Sequence, residues 1–194
     1  MILSTPTANY VASTIPIAFA DPDEALIDSI SGGGLTIQFS SLMRASTVGD
    51  NWASWGPPPD TESSTPRVLW SGLDDDFLPV TAMTFLLSGP VSAFGFEAEP
   101  GPTEFHTLTA SFFSKGVLQA SISRPVNGDA GARLFATSAR PGDLFDSITV
   151  RSDTDWAACQ FRFAPAATIA EPPSLSVFLI GLAALIAILI TRRA

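Results

Sequence analysis

The chain has 194 residues, 14 of them phenylalanine, and a formal net charge of −9 at pH 7. Nucleic acids and anionic membrane surfaces are bound by basic patches, so this acidic balance argues against both as partners of the folded part. The single cysteine, Cys159, excludes an intrachain disulfide and a cysteine-based zinc site, and the single histidine, His106, excludes a histidine cluster.

The residues before the C-terminal tail follow a strand pattern. Apolar and polar residues alternate with a period of two, and helical periodicity is almost missing before residue 174. The 14 glycines and 16 prolines are typical of a chain with many turns. We therefore predict an all-β ectodomain over residues 1–163, an antiparallel β-sandwich or jelly roll of about nine strands.

The first twenty residues allow three interpretations of the N-terminal segment. Ala18-Phe19-Ala20 resembles a signal-peptidase site, but prolines and polar residues interrupt the stretch before it, and the first basic residue is Arg44. A signal peptide is one interpretation. The others are a start codon that is assigned late and an export route that uses the C-terminal tail.

The alternation divides the chain into successive strands. The predicted strands cover residues 35–40, 68–70, 80–87, 91–98, 106–112, 117–124, 133–137, 145–151 and 156–163. Ser88-Gly89-Pro90 predicts a turn between two of them, and Ser114-Lys115-Gly116 predicts a tight hairpin. The returning strand should point Leu118, Ala120 and Ile122 inward. The last strand should place Ala157, Cys159, Phe161 and Phe163 on one face, with Cys159 as a small core residue.

Residues 50–66 predict a long surface loop, because they combine a proline triplet with many Ser and Thr residues. Trp52 and Trp55 lie in this loop and are candidates for stacking on a sugar or docking a partner. They could equally cap the end of the sandwich as core residues.

The catalytic candidates are few. His106 is the one side chain whose ordinary pKa lies near neutrality, and on a strand it is interpreted as a packed or edge histidine. Glu97 and Glu99 lie two residues apart on one strand face, near the lower limit of the roughly 5 to 10 Å that glycosidase carboxyls need. We interpret them as solvated acids and predict no catalytic residue, with a hydrolase that uses these residues as the third alternative.

Acidic loops offer a possible calcium site and no other cofactor. The oxygen ligands would come from Asp74, Asp75 and Asp76, together with Asn127 and Asp129 or with Asp153 and Asp155. The spacing matches no EF-hand loop, and the alternative is a solvated acidic turn.

The C-terminal tail predicts a single transmembrane helix over residues 174–194. No charged side chain lies between Pro172 and Thr191, and a helix from Ser174 to Thr191 would be about 27 Å long, close to the hydrocarbon thickness of a bilayer. Arg192 and Arg193 favour a cytoplasmic end. Residues 164–173 form a Pro/Ala linker, and a buried core helix is the alternative.

The tail also resembles the PEP-CTERM sorting signal of exosortase-dependent bacterial surface proteins. The residues that carry this resemblance are Glu171, Pro172 and Pro173, followed by Ser174-Leu175, the apolar span and the basic pair. Ala170 replaces the first proline of the motif, and the basic cluster has two residues. Residues 27–163 resemble the β-rich domain often attached to this signal, through segments 52–63, 92–100, 126–135 and 152–157.

The resemblance implies an exported, non-catalytic protein of the cell envelope or exopolysaccharide. Its tail would anchor it in the membrane with the domain outside the cytoplasm, until an exosortase-type enzyme cuts near Glu171-Pro172 and releases it. The implied partners are that enzyme, the membrane and exopolysaccharide. The alternative from the residues themselves is a carbohydrate-binding envelope module that uses Trp52 and Trp55, with or without calcium.

Overall fold

A computed structural model describes residues 1–72, 79–140 and 142–166. This part contains a short helix and eleven strands: β1 (Ile2–Leu3), α1 (Ala8–Ser13), β2 (Ile15–Ile17), β3 (Leu26–Gly32), β4 (Leu35–Thr47), β5 (Arg67–Trp70), β6 (Ala82–Pro100), β7 (Phe105–Ser114), β8 (Val117–Asn127), β9 (Arg133–Ser138), β10 (Phe145–Arg151) and β11 (Trp156–Pro165). The pairings between these strands are antiparallel. The predicted all-β antiparallel class is confirmed.

Two sheets share the long strand β6. Its first half pairs with β4 and β10, and its second half pairs with β9 and β11. Phe85 in the first half and Phe96 in the second meet edge to face, with ring centroids 5.4 Å apart. The two halves of one strand therefore face each other across the core, and the fold is a β-sandwich.

The predicted turn at Ser88-Gly89-Pro90 is wrong, because β6 runs through it. The register on β10 jumps there: Phe145 pairs with Val91, whereas Ser147 pairs with Leu86. The extra residues of β6 form a large irregularity at the place where the strand crosses from one sheet to the other. Glycine and proline mark a bend within this strand instead of its end.

A bulge in β11 changes which residues share a face. Gln160 has a positive φ of 50°, and three steps on β11 from Cys159 to Arg162 match two steps on β6. Phe161 and Phe163 consequently enter the main core, whereas Cys159 belongs to a separate cluster on the other face of the sheet. The predicted common face for these residues is wrong.

The hairpin between β7 and β8 forms where it was predicted. Lys115 and Gly116 have φ values of 49° and 77°, as a two-residue hairpin loop requires. A register shift opposite Phe113 then turns Leu118 outward, where it is 54% exposed. Ile122 lies in the core as predicted.

The first seventeen residues pack against the sandwich. β1 pairs with β9, and β2 pairs with β11. Thr7 caps α1 by accepting a hydrogen bond from the backbone N–H of Tyr10 at 3.3 Å. Tyr10 and Ile17 are buried, so a cut after Ala20 would remove β1, α1 and β2 from the domain.

Several predicted residues lie outside the described ranges. They are Asp74, Asp75 and Asp76, and the whole tail with Glu171, Pro172, Pro173, Arg192 and Arg193. Within residues 1–72, 79–140 and 142–166, no helix has the length and apolar character needed to span a membrane.

Candidate functional site

The loop of residues 50–66, hereafter the Trp loop, covers the face of the sheet that lies opposite the main core. Its two tryptophans are buried in a cluster with Val68, Ala132, Ala157 and Cys159. Trp55 is 3% exposed, so the predicted ligand-stacking role of Trp55 does not fit its position. Trp52 is buried as well, at 8% exposed.

Two glutamates of β6 hold the Trp loop. The indole N–H of Trp55 donates to Oε2 of Glu97 at 3.1 Å, and the backbone N–H of Glu62 donates to Oε1 at 2.6 Å. The hydroxyl of Ser54 donates to Oε1 of Glu99 at 2.9 Å. Both glutamates are 0% exposed. Their interpretation as solvated acids is wrong, because a loop from more than thirty residues earlier covers them.

Burial raises the pKa of both glutamates, so each is a weaker acid than an exposed glutamate. Loss of solvation raises the pKa of Glu97 from 4.5 to about 7, although the hydrogen bonds it accepts favour the charged form. Loss of solvation likewise raises the pKa of Glu99 from 4.5 to about 7. Among the described residues, no group donates a hydrogen bond to Oε2 of Glu99. Each carboxyl is therefore kept protonated into the neutral range.

An ion pair fixes the far end of the Trp loop. Arg162 on β11 binds Glu62 through two parallel contacts, Nε to Oε1 at 2.6 Å and Nη2 to Oε2 at 2.9 Å. Its remaining Nη1 donates to the carbonyl oxygens of Val11 and Thr14, each at 3.2 Å. One guanidinium thus joins the Trp loop, the sheet and the C-terminal end of α1.

A recess of about 290 Å³ lies beside the Trp loop. Its walls combine two indoles with amide, hydroxyl and carboxylate groups, from Asn51, Trp52, Ala53, Ser54, Trp70, Gly101, Gly128 and Asp155. Mainly apolar walls with a few placed polar groups are the usual composition of a small-ligand site. We define these eight residues as the recess.

The polar side of the recess is held by Asp155. The indole N–H of Trp70 donates to its Oδ2 at 2.8 Å, and the hydroxyl of Thr154 donates to Oδ1 at 3.0 Å. An ionised carboxylate can accept about four hydrogen bonds, so Asp155 can accept more donors from a ligand. The guanidinium carbon of Arg44 lies 5.7 Å from the centroid of the Trp70 ring system, which helps to fix the indole.

Two glycines make room for this arrangement. A Cβ atom at Gly101 would lie 2.6 Å from Oδ2 of Asp155, and one at Gly128 would overlap the carbonyl oxygen of Pro102. Neither position can accept a larger residue without moving its neighbours. The chain segments that form the recess approach one another as closely as glycine allows.

The remaining candidates do not line the recess. Nδ1 of His106 is 2.9 Å from Oδ1 of the exposed Asp153, which is the geometry of an edge histidine with a surface partner. Asp129 lies exposed in the loop before β9. In the described ranges, no group of three or more His, Cys, Asp or Glu residues is arranged to hold a metal ion.

Sequence reasoning missed most of the recess. Trp52 was a candidate and lines it, but Trp70 was assigned to a strand without a function, and Asp155 was considered as a calcium ligand. Trp70 and Asp155 are 85 positions apart in the chain. The available signal was the position of Trp70 at the end of a mostly apolar strand. That signal does not identify Asp155 as its partner.

Comparison with known proteins gives structural neighbours alone. No protein-family model and no curated protein matches the chain. TmCBM61, solved in complex with β-1,4-galactotriose, is similar over 69% of this chain and 90% of its own, with 11% identity and a TM-score of 0.37. The family 11 carbohydrate-binding module of the cellulase Lic26A-Cel5E of Clostridium thermocellum is similar over 77% of this chain and 96% of its own, with 13% identity and a TM-score of 0.25.

A third neighbour is the enzymatically active domain of tailspike protein 4 of bacteriophage CBA120. It is similar over 68% of this chain and 19% of its own, with 19% identity and a TM-score of 0.34. Two of the three neighbours are therefore carbohydrate-binding modules. At TM-scores below 0.5 these similarities indicate neither a shared family nor a shared function.

Proposed function

We propose that this protein is a non-catalytic carbohydrate-binding protein of the cell envelope, and that the recess binds a neutral sugar. The observation that carries the proposal is the contact between the indole of Trp70 and the carboxylate of Asp155, 2.8 Å apart in the wall of the recess. An aromatic surface beside a fixed acceptor suits a pyranose, which has C–H groups on its face and hydroxyls around its edge.

The polar groups of the recess match hydroxyl chemistry. Asp155 accepts hydrogen bonds, and the amide of Asn51 both donates and accepts. The hydroxyl of Ser54 donates its proton to Glu99, so it can offer a ligand an acceptor alone. These groups lie together with the indoles of Trp52 and Trp70. A sugar hydroxyl can donate to one of them and accept from another, which fixes the orientation of a ring that the indole of Trp70 contacts.

The charge of the site favours a neutral ligand. The carboxylate of Asp155 lines the recess, and the whole chain carries a net charge of −9. An anionic sugar would be repelled at the contact and on approach. The proposed ligand is therefore an uncharged oligosaccharide or the exposed end of a neutral polysaccharide.

The position of the acidic residues supports a binding role without catalysis. Glycoside hydrolysis uses two carboxyls on opposite sides of the scissile bond. Glu97 and Glu99 are covered by the Trp loop and have no exposed surface. His106, which lies on β7, is paired with Asp153. The arrangement offers a ligand one carboxylate, that of Asp155.

The sequence of the tail supports a proposal about location. The apolar span, Glu171-Pro172 and the pair Arg192-Arg193 would anchor the protein in the membrane and present it to an exosortase-type enzyme. The sandwich would then be displayed outside the cytoplasm or released into the exopolysaccharide. This proposal rests on the resemblance of the tail to the sorting signal.

A glycan array tests the binding proposal. The wild-type domain should bind a set of neutral glycans, and W70A should lose that binding. F105A provides the matched control, because Phe105 is an aromatic residue that is 71% exposed and does not line the recess. Binding of acidic glycans alone, or equal binding by W70A, would contradict the proposal.

A chelator separates the two forms of the carbohydrate hypothesis. The recess as described needs no metal ligand, so binding should survive excess EDTA. Loss of binding in EDTA that calcium restores would instead assign the site to the acidic loops with Asp129.

A further inference from the structure

The recess and the two buried glutamates share the first half of the Trp loop. Ser54 lines the recess and donates a hydrogen bond to Glu99 at 2.9 Å. Its neighbour Trp55 donates to Glu97 at 3.1 Å. The wall of the recess is therefore held in place by two carboxyl groups that a ligand cannot touch.

We propose that Glu97 and Glu99 form a proton-controlled clamp, which holds residues 51–56 against the sheet when protonated and releases them when ionised. The clamp would regulate the proposed function, since it would make sugar binding depend on pH. The loop movement itself does not require that the ligand be a sugar.

The physical cause is the cost of a buried charge. Burial holds the pKa of each carboxyl near 7, so both are largely neutral below that pH. Above it, each must carry a charge in a site that accepts one or two donors from the Trp loop. Water lowers this cost if it can reach the carboxylates.

The Trp loop is the element that can move. β6 is hydrogen bonded to β11 on one side and to β9 on the other along Glu97, so the carboxyls cannot leave without breaking two ladders. The segment before Gly56 has no strand pairing beyond an isolated bridge from Trp52 to Val48. Lifting this segment removes the hydrogen bonds from Ser54 and Trp55 and opens one side of both carboxyls to water, while the backbone N–H of Glu62 stays on Oε1 of Glu97.

The two arginines beside the clamp are engaged with other carboxylates, although Arg162 still lowers the pKa of Glu97 as a smaller effect than burial. Arg162 and Arg133, on the strands that flank β6, are each paired with a carboxylate of the Trp loop, Glu62 and Asp60. These pairs anchor residues 60–62 and confine the movement to residues 51–56.

The other titratable groups that face the clamp oppose its ionisation or stay neutral. Asp129 raises the pKa of Glu99, and Glu62 raises that of Glu97. Tyr10 from α1 and Cys159 from β11 remain neutral near pH 7, because burial raises the pKa of each. The charge on each buried carboxylate must therefore be met by water or by movement of the loop.

Hydrogen exchange tests the clamp directly. After correction for the intrinsic exchange rate, the indole N–H of Trp55, which donates to Glu97, should lose roughly tenfold protection between pH 6 and pH 8 in the full chain. The variant E97Q/E99Q should keep its protection within about twofold, because glutamine donates and accepts hydrogen bonds without titrating. E104Q is the matched control and should behave like the wild type, since Glu104 is exposed.

Equal loss of protection in wild type and E97Q/E99Q would overturn the clamp, and so would constant protection of the wild type. If the double variant does not fold, a carboxyl-carbon NMR titration of the wild type replaces it. Glutamate resonances that are absent from E97Q or E99Q should titrate near pH 7, and titration near 4.5 would reject the proposal.

Sugar binding at two pH values separates the clamp from the proposed function. If exchange of the Trp55 indole N–H responds to pH but no neutral glycan binds at pH 6, the clamp stands and the proposed ligand is wrong. If a glycan binds equally at pH 6 and pH 8 while protection stays constant, the ligand stands and the clamp is wrong.

Discussion

The indole nitrogen of Trp55 and Oε2 of Glu97 are hydrogen bonded at 3.1 Å, and both residues are buried. The donor is the neutral indole N–H, whereas an ionised carboxylate at this position would be stabilised most by a cation. Burial keeps Glu97 protonated into the neutral range, so the site needs no cation. The Trp loop and the sheet are joined by the hydrogen bonds that this carboxyl group accepts.

The first prediction concerns the pH dependence of stability. The folded pKa of Glu97 and of Glu99 is about 7, against 4.5 when solvated. The folded state binds more protons between these values, so its stability is full below about pH 4.5 and falls as pH rises through 7. Each group contributes up to about 3 kcal/mol of this loss.

Urea unfolding of wild type and E97Q/E99Q at pH 5 and pH 8 measures the effect. The double variant should lose less stability over this range than the wild type, by several kcal/mol at most. E104Q serves as the control and should follow the wild type. A variant that loses as much stability as the wild type would show that these carboxyls ionise freely in the folded protein.

The second prediction concerns the ion pair that joins the Trp loop to α1. R162A removes the partner of Glu62 and the donor to Val11 and Thr14. Breaking a largely buried pair by removing one partner costs about 3 kcal/mol. We expect that loss in chemical denaturation, together with faster proteolysis within residues 1–20.

R162K is the informative companion of R162A. Lysine keeps the charge but cannot make the two parallel contacts with Glu62, so its stability should fall between those of R162A and the wild type. Unchanged proteolysis of residues 1–20 in R162A would mean that Arg162 does not hold the N-terminal segment.

The third prediction concerns Cys159. The thiol is 1% exposed, and burial with nearby glutamates raises its pKa well above the usual value. The thiolate is the reactive form, so Ellman's reagent should label the native protein far more slowly than the urea-unfolded protein at pH 6, where the protonated glutamates hold the Trp loop over the thiol. Fast labelling of native protein would reveal that the covering Trp loop opens readily.

The fourth prediction concerns the tail. If the sorting proposal is correct, mass spectrometry of the mature protein from its native host should find a C-terminus near Glu171-Pro172, without the apolar span. A variant in which both Glu171 and Pro172 are changed to alanine should retain the span. Wild-type protein that ends intact at Ala194 would reject processing and leave a plain membrane anchor.

The sequence predicted the class of fold well, because alternation of side chains is a local property. The strands from β7 to β11 appear close to their predicted positions, and the hairpin at Lys115-Gly116 follows from local turn chemistry. The errors arose where the backbone departs from regular geometry. Gln160 adopts a positive φ without being glycine, so no residue type announced the bulge that separates Cys159 from Phe161.

The site depended on contacts that a sequence does not display. Glu97 and Glu99 alternate with Phe96 and Ala98 along β6, which is the pattern expected of acids that face solvent. The glutamates do lie on the opposite face of the strand from Phe96 and Ala98, but all four residues are buried. What buries them is the Trp loop on the opposite face of the sheet, attached through Ser54 and Trp55. The sequence did not predict that the Trp loop covers this face, because the packing of a loop leaves no periodic pattern in the sequence.

Calorimetric titration of a neutral oligosaccharide into wild type, W70A, W70F and F105A measures whether the recess binds sugar through Trp70. W70A should weaken binding by at least about tenfold, or ~1.4 kcal/mol. W70F should fall between W70A and wild type, because it keeps a ring but loses the N–H that holds Asp155. F105A should bind like the wild type, and equal affinity of W70A and wild type would contradict the recess as the binding site.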